Sequence, residues 1–254
     1  MQIGITSAIC QKNHSDAIQF ASDNGIEFLQ IYLNLADLQK GDEYLLEISR
    51  LASMLKIKLT SHISEDLKGE DLDEIARKHS LVLWNQEKKI AVIHFDDNLK
   101  ESVIEAFNKE GITVYIENYH RGISKKSELL NHDKFVEFVL ENSERIGAVV
   151  DFPRYFSGEE IGSICNIEKM IIGDLEKFEK VGVSVLFHTI GKKSFESGRK
   201  SWTIPGGKED LIPQESLIRG ASTIFGSGIG LLILECEKIE HSIGGYENLK
   251  KISR

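Results

Sequence analysis

The stretch Lys89–Tyr119, KIAVIHFDDNLKESVIEAFNKEGITVYIENY, decides the fold. It opens on the apolar run Ala91-Val92-Ile93, which predicts a strand over Lys89–Phe95. Lys100–Lys109 predicts a helix that stops at Gly111, and Thr113–Tyr119 predicts a second strand. Strands that read as continuous apolar runs are covered on both faces, as in a parallel sheet. A helix that carries the chain back between two such strands is the usual crossover. The first strand delivers His94 at its end and the second delivers Glu117.

The same alternation continues to both ends of the 254 residues. Further strands are predicted at Ile3–Ile9, Phe28–Leu33, Lys58–Ile63, Ala148–Phe152, Val183–Thr189 and Leu231–Glu237. Helices are predicted at Asp16–Asn24, Glu43–Leu55, Leu72–Asn85, Lys134–Ile146 (ended by Gly147), Glu159–Val181 (interrupted near Gly173), Gln214–Phe225 and Tyr246–Ser253. No composition break marks a second domain. Eight strand–helix units of about 30 residues favour a closed barrel over an open doubly wound sheet. No G-x-G-x-x-G follows the first strand and no G-x-x-x-x-G-K-[ST] occurs, which weakens the nucleotide-binding open sheet further. The expected fold class is α/β, a single (β/α)8 TIM barrel forming one domain over residues 1–254.

Composition narrows the function. With 41% hydrophobic and 28% charged residues the chain is not globally disordered. Lys and Arg number 31 against 40 Asp and Glu, a formal charge of −9, so the bulk basic field of a nucleic-acid binder is missing. Cys10, Cys165 and Cys236 are odd in number and widely spaced, which argues against a disulfide framework and suits a reducing cytoplasm. Met1–Thr6 reads as a strand, not a signal peptide. Apolar stretches such as Gly230–Leu234 fall far short of the roughly 20 residues that span a membrane. The expectation is a cytoplasmic protein with a small-molecule partner and with neither a membrane nor a nucleic acid as partner. Phe152, Tyr155 and Phe156 are read as exposed apolar residues available to a homodimer interface. Leu81–Trp84 is read as core packing, and Lys68–Glu74 as the acidic N-terminus of a helix.

In a parallel barrel every strand ends on one face, and that face carries the chemistry. Six of the predicted strands end in an ionisable residue: His62, His94, Glu117, Asp151, His188 and Glu235. Each has a bland reading alone: a hydrogen-bonded histidine, a solvated glutamate, an aspartate that opens a turn. Together they converge. Half-buried carboxylates on one rim repel one another unless a cation or protons neutralise them. Two Glu, one Asp and one His suit Mn2+, Mg2+ or Zn2+.

At these residues the chain resembles the xylose isomerase-like barrels, in particular the sugar phosphate isomerase/epimerase group related to the family-2 apurinic endonucleases. The resemblance runs through Ile3-Gly4-Ile5, Asn24-Gly25-Ile26-Glu27-Phe28, Ser61-His62, Val92-Ile93-His94, Tyr115-Ile116-Glu117-Asn118, Val149-Val150-Asp151, Phe187-His188, Ile204-Pro205-Gly206-Gly207, Leu232-Ile233-Leu234-Glu235 and Tyr246-Glu247-Asn248-Leu249. It implies one divalent ion (Mn2+, Mg2+, Zn2+ or Co2+) held by Glu117, Asp151, His188 and Glu235. It also implies that Glu117 and Glu235 are the catalytic pair, one removing a proton beside a carbonyl and the other returning it, through an ene-diolate that the metal stabilises.

The chain departs from the family at two places. After the sixth strand the family carries D-x-x-H, whereas this chain reads Asp151-Phe152-Pro153-Arg154. A guanidinium cannot ligate a metal but binds phosphate or carboxylate, so Arg154 is either an anion-binding residue or a surface arginine. Where the endonucleases carry D-x-H, this chain reads Lys200-Ser201-Trp202, which removes ligands of a three-metal nuclease site. Trp202 either covers a sugar face or packs in its loop. The loop Thr189–Leu211 holds Lys192, Lys193, Arg199, Lys200 and Lys208, and is read as an anion-binding lid or as a solvated loop. His62, His94, Arg154, Lys192 and Trp202 are the expected substrate-binding residues. The expected function is a metal-dependent isomerase or epimerase of a sugar, sugar phosphate or small hydroxy-carbonyl compound. A lyase, dehydratase or endonuclease-like hydrolase on the same site, or a non-catalytic binding barrel, remain the alternatives.

Overall fold

Eight apolar runs form strands because each is covered inside by the barrel lumen and outside by a helix. The computed structural model describes residues 1–10, 13–63, 67, 69–95, 99–118, 132–156, 164–194, 202–226 and 230–253. Its strands are β1 (Gln2–Thr6), β2 (Phe28–Leu33), β3 (Lys58–Ile63), β4 (Lys89–His94), β5 (Ile112–Glu117), β6 (Ile146–Asp151), β7 (Val185–Thr189), β8 (Gly191–Lys192), β9 (Trp202–Thr203) and β10 (Leu231–Leu234). The order β1-β10-β7-β6-β5-β4-β3-β2 closes into a parallel barrel, and β8 and β9 form a separate antiparallel pair beside it. The helices are α1 (His14–Asp23), α2 (Leu35–Leu38), α3 (Asp42–Met54), α4 (Leu72–Val82), α5 (Glu101–Lys109), α6 (His132–Glu141), α7 (Phe152–Tyr155), α8 (Ile164–Lys180), α9 (Gln214–Phe225) and α10 (Ile239–Ile252). Local chemistry starts several of them. Asn13 accepts from the Asp16 amide to cap α1, and Asp71 accepts from the Glu74 amide to cap α4. Asn34 and Asp37 form a reciprocal capping box on α2.

Strand register places the site. His94 lies level with Glu117, and Asp151 lies level with His188. At the intervening interfaces the level shifts by two residues: Glu117 faces Val149 and His188 faces Ile233. A two-residue shift preserves the side of the pleat on which a side chain sits. The lumen core of Val92, Tyr115, Val149, Leu186 and Ile233 therefore continues, two residues further along each strand, into His94, Glu117, Asp151, His188 and Glu235. The lower lumen is apolar and the next layer is ionisable.

Several boundaries differ from the sequence reading, each for a physical reason. β1 stops at Thr6, and Ser7–Cys10 turns as a 3-10 segment whose Ser7 hydroxyl accepts from the Tyr32 amide. The helix expected to end at Gly147 ends at Glu141, and Gly147 lies inside β6 because a Cβ there would sit 2.3 Å from the Tyr115 ring. α8 is not interrupted at Gly173: Ile171, Leu175 and Phe178 are buried around it, and their burial outweighs the roughly 1 kcal/mol helix cost of glycine. Residues 159–163 of that expected helix lie outside the described residues, as does Lys68. α10 starts at Ile239 instead of Tyr246, and its Gly245 lets Pro205 pack against the helix, where a Cβ would meet Pro205 Cδ at 2.9 Å. Phe152, Tyr155 and Phe156 are not exposed. They are buried in the core at 1%, 1% and 0% exposure, because α7 folds straight back over β7. Trp84 is not core packing: it lies beyond the end of α4, is 63% exposed, and has Lys89 over its ring.

Two glycines on the same scaffold should respond oppositely to alanine. Gly147→Ala forces the buried Tyr115 ring to move and is expected to cost about 1–3 kcal/mol, lowering Tm by several degrees. Gly173→Ala meets nothing within 4 Å in mid-helix and is expected to add about 0.5–1 kcal/mol. Thermal melts of the two variants check both signs.

Candidate active site

The rim residues meet around one carboxylate. Glu117, at the end of β5, is fully buried and has both oxygens engaged. Its Oε2 lies 3.2 Å from His62 Nε2 and 3.1 Å from His94 Nε2. Its Oε1 lies 3.0 Å from His188 Nδ1 and 3.2 Å from Arg154 Nη2. His188 Nδ1 also lies 3.1 Å from Glu235 Oε1, so one imidazole nitrogen spans the two glutamates. Glu235 sits one residue beyond β10, held there by its amide bond to the Thr189 carbonyl. Among the described residues Glu235 uses only Oε1, and its side chain is 16% exposed.

Asp151 and Arg154 form the second half of the site. Asp151 ends β6 and lies directly before α7, where Pro153 pre-sets the first turn. That turn brings Arg154 back onto Asp151, with Nε 2.6 Å from Oδ2. Arg154 Nη1 donates to the Asn118 carbonyl at 2.9 Å, and Nη2 lies 3.1 Å from His94 Nε2. Asn118 in turn accepts from the Asp151 amide at 2.6 Å. Asp151 Oδ1 is buried with no hydrogen-bond partner among the described residues.

The nine residues expected at the site fall into two groups. Glu117, Asp151, His188, Glu235, His62, His94 and Arg154 are brought together, with Arg154 inside the site and not on the surface. Lys192, on β8, is buried close by and feels the charge of Asp151, so it is not part of a solvated lid. Trp202, on β9, pairs in register with Lys192 and packs, partly buried, against the core. Of the other basic loop residues, Lys193 and Lys208 are exposed, while Arg199 and Lys200 lie outside the described residues. Two contributors were missed. Tyr32 donates to Glu235 Oε1 and stacks on His62 with ring centres 4.4 Å apart, and Gln30 Oε1 lies 3.1 Å from His188 Nε2. Their signal in the sequence was polar residues at alternate positions of β2, between Leu29, Ile31 and Leu33.

Burial and charge set the protonation of the site. Burial pushes Glu117 up, but Arg154, His188 and His94 together hold it well below the usual carboxylate range. Burial and the charge of Glu117 overcome Arg154 at Asp151 and raise it to about 8. Burial acts against His188, yet Glu235 and Glu117 lift it to about 10. Glu235 is raised by burial but falls to about 2 through His188. The protein at neutral pH thus balances two ionised glutamates with His188 and Arg154, and Asp151 has the highest proton affinity of the three carboxylates.

The donor set fits a divalent ion. Ligand atoms of Glu117, His188 and Glu235 all lie within 4.8 Å of one another, and oxygen with imidazole suits Mn2+, Co2+ or Zn2+. His62, His94 and Glu117 form a second such triple, but the Arg154 guanidinium against His94 disfavours a cation there. A separate cavity of about 670 Å³, lined by Phe28, Thr60, Tyr115, Leu186 and Leu231 among others, lies at the opposite end of the lumen and holds none of the ionisable rim residues.

The comparisons with known proteins agree on the fold. No family model matches the chain, and no curated protein sequence matches it. Among solved structures, a D-psicose 3-epimerase solved with D-fructose is 17% identical with a TM-score of 0.61, over 97% of this chain and 90% of that one. A xylose isomerase domain protein from Alicyclobacillus acidocaldarius is 11% identical with a TM-score of 0.67, over 99% and 98%. A probable 3-DHS dehydratase from Bacillus anthracis is 11% identical with a TM-score of 0.64, over 100% and 99%. The chain has the fold of the xylose isomerase-like TIM barrels. Among the described residues no helix is long and apolar enough to cross a membrane.

The protonation pattern has a measurable consequence in chelator-treated protein. His188, raised to about 10, contributes stability that is complete below its unfolded value near 6.5 and is lost as pH rises through 10. Asp151, raised to about 8, acts in the same sense, since the folded state favours its protonated form. Tm is therefore expected to fall from pH 7 to pH 10, and less steeply in His188→Gln. Equal slopes for the two proteins would remove this assignment.

Proposed function

We propose that the protein is a divalent-metal-dependent isomerase or epimerase of a sugar, sugar phosphate or small hydroxy-carbonyl compound. The observation that carries this reading is that two glutamates from different strands, Glu117 and Glu235, converge on one nitrogen of His188 in a buried site. Glu117, His188 and Glu235 would hold the metal. A divalent ion bound there supplies Lewis-acid polarisation of a substrate carbonyl oxygen. The rest is done by side chains. Glu235, with Oε2 open, takes the proton from the carbon beside the carbonyl. Glu117, whose Oε2 faces two imidazoles, would be the opposite carboxylate: it returns a proton that it has first taken up from solvent, and the proton left on Glu235 passes to solvent to close the cycle. Tyr32, burdened by burial and by Glu235, stays protonated and donates to the Glu235 carboxylate, which orients that group. His62, Tyr32 and His94 form an aromatic wall suited to a sugar face. The epimerase and isomerase-domain neighbours support this reading at the level of the fold. The dehydratase neighbour motivates a second reading, in which the same proton abstraction is followed by loss of a hydroxyl.

The test is exchange of substrate hydrogen with solvent. In D2O with Mn2+ or Co2+, a panel of ketoses, ketose phosphates and hydroxy-keto acids is expected to contain a compound that gains deuterium next to its carbonyl. Glu235→Gln and Glu117→Gln should each slow that exchange by about 10²–10⁴-fold. Loss of water from the compound, seen by NMR, would select the dehydratase reading. No exchange by metal-loaded wild type across the panel would count against both.

A further inference from the structure

We propose that Arg154 occupies Asp151 as its own hydrogen-bond partner, so that the divalent ion is held by Glu117, His188 and Glu235 without Asp151, and that removing Arg154 converts the site to a tighter one that includes Asp151. The inference rests on the reading of the Glu117–His188–Glu235 cluster as a metal site.

Geometry supports it. Asp151 Oδ2 is taken by Arg154 Nε at 2.6 Å, a charge-assisted contact at the short end of its range. Asp151 does not join the group of ligand atoms that lie within 4.8 Å of one another, whereas Glu117, His188 and Glu235 do. Arg154 is also fixed from three other sides, by Glu117 Oε1, the Asn118 carbonyl and His94 Nε2. Its side chain is only 11% exposed, so it cannot swing into solvent to release Asp151 without breaking these contacts. A guanidinium does not lose its proton in a protein, so the charge stays whatever else binds. Glu117 Oε1 is the critical atom. It faces both Arg154 Nη2 and His188 Nδ1, so a metal ligated there shares its oxygen with a fixed cation. That proximity weakens the attraction for a second positive charge. Lys192 is buried near enough to interact with the charge of Asp151, although burial lowers its own proton affinity. The contact is built by local sequence, because Pro153 and the short α7 place position 154 back over position 151. Fewer protein ligands leave more of the ion's coordination positions to substrate oxygens.

The test is Co2+ binding to the full chain after chelator treatment, with dissociation constants from a competing fluorescent chelator and the visible Co2+ spectrum as a report of ligand identity. Circular dichroism and Tm confirm that each variant is folded. Wild type is expected to bind, and His188→Gln to bind about 100-fold more weakly. Arg154→Gln is expected to bind about 10-fold or more tightly than wild type, with a changed spectrum, while Arg154→Lys, which keeps the charge, stays within about 3-fold of wild type. Asp151→Asn is expected to leave the wild-type spectrum in place but to alter it in the Arg154→Gln background. A wild-type spectrum that Asp151→Asn changes as much as His188→Gln does would overturn the proposal, as would an Arg154→Gln affinity at or below that of wild type. If wild type and Arg154→Gln both bind no Co2+, the metal reading itself fails and the proposal falls with it.

Discussion

Closing eight parallel strands with a two-residue step at alternate interfaces fixes which side chains share a level of the lumen. His94 and Glu117 are level, as are Asp151 and His188, and each step between such pairs is two residues, never one. A single-residue slip at any interface would turn every side chain beyond it to the helix side. The apolar layer of Val92, Tyr115, Val149, Leu186 and Ile233 opposes such a slip, because it would be expelled from the lumen with the rest. The ionisable layer is thus held in place by the hydrophobic layer beneath it. This is why a site of high electrostatic cost can be built at the ends of short strands. Gly147 belongs to the same arrangement, since its missing side chain is the space that the Tyr115 ring fills.

The cost of that layer is met within the site. Three carboxylates, Glu117, Asp151 and Glu235, are gathered in a region from which water is largely excluded. Uncompensated, such charges would lift one another's proton affinities. Arg154 and His188 each contact two of the three. The result is uneven. Glu117 is held ionised by four cationic or imidazole neighbours, while burial and the charge of Glu117 raise Asp151 despite its contact with Arg154. The asymmetry follows from position: Glu117 lies between His188 and the His62–His94 pair, and Asp151 is on the flank of the site with one oxygen unpartnered among the described residues.

Much of the barrel was legible in the sequence because its signals are local. Strands β4, β5, β6, β7 and β10 are largely apolar runs, and in each an ionisable residue follows by two the last lumen-facing apolar one, so that part of the rim could be read as a list of strand ends. What was not legible depended on return contacts. Nothing in Phe152-Pro153-Arg154-Tyr155-Phe156 says whether the segment leaves the surface or folds back over β7. It folds back, which buries its three aromatic residues and turns Arg154 inward. Tyr32 and Gln30 were overlooked because attention fell on the last residue of each strand, whereas β2 contributes from its interior. The uninterrupted α8 and the early start of α10 show the same limit. A glycine reads as a break until the surfaces that bury its neighbours are known.

The described residues on either side of 195–201, in the segment after β7, form a brace beside the barrel. The segment's basic residues and glycines suggested mobility. In the structure one carboxylate, Asp210, gathers the amides of Lys192, Gly206 and Ile212 and the Gln214 side chain. Gln214 reaches on to Thr189 and to the Ile190 carbonyl, directly after His188. Asn248 of α10 donates to Pro205 and ties the far side of the loop to the barrel. Lys192 is therefore tied through its amide to Asp210, and its side chain is buried where burial lowers its proton affinity and the charge of Asp151 opposes that. The same brace fixes the position of His188, since Thr189 is its immediate neighbour and also accepts the amide of Glu235. The precision of the two-glutamate centre thus depends on Asp210 and Gln214, two residues that touch none of its carboxylates.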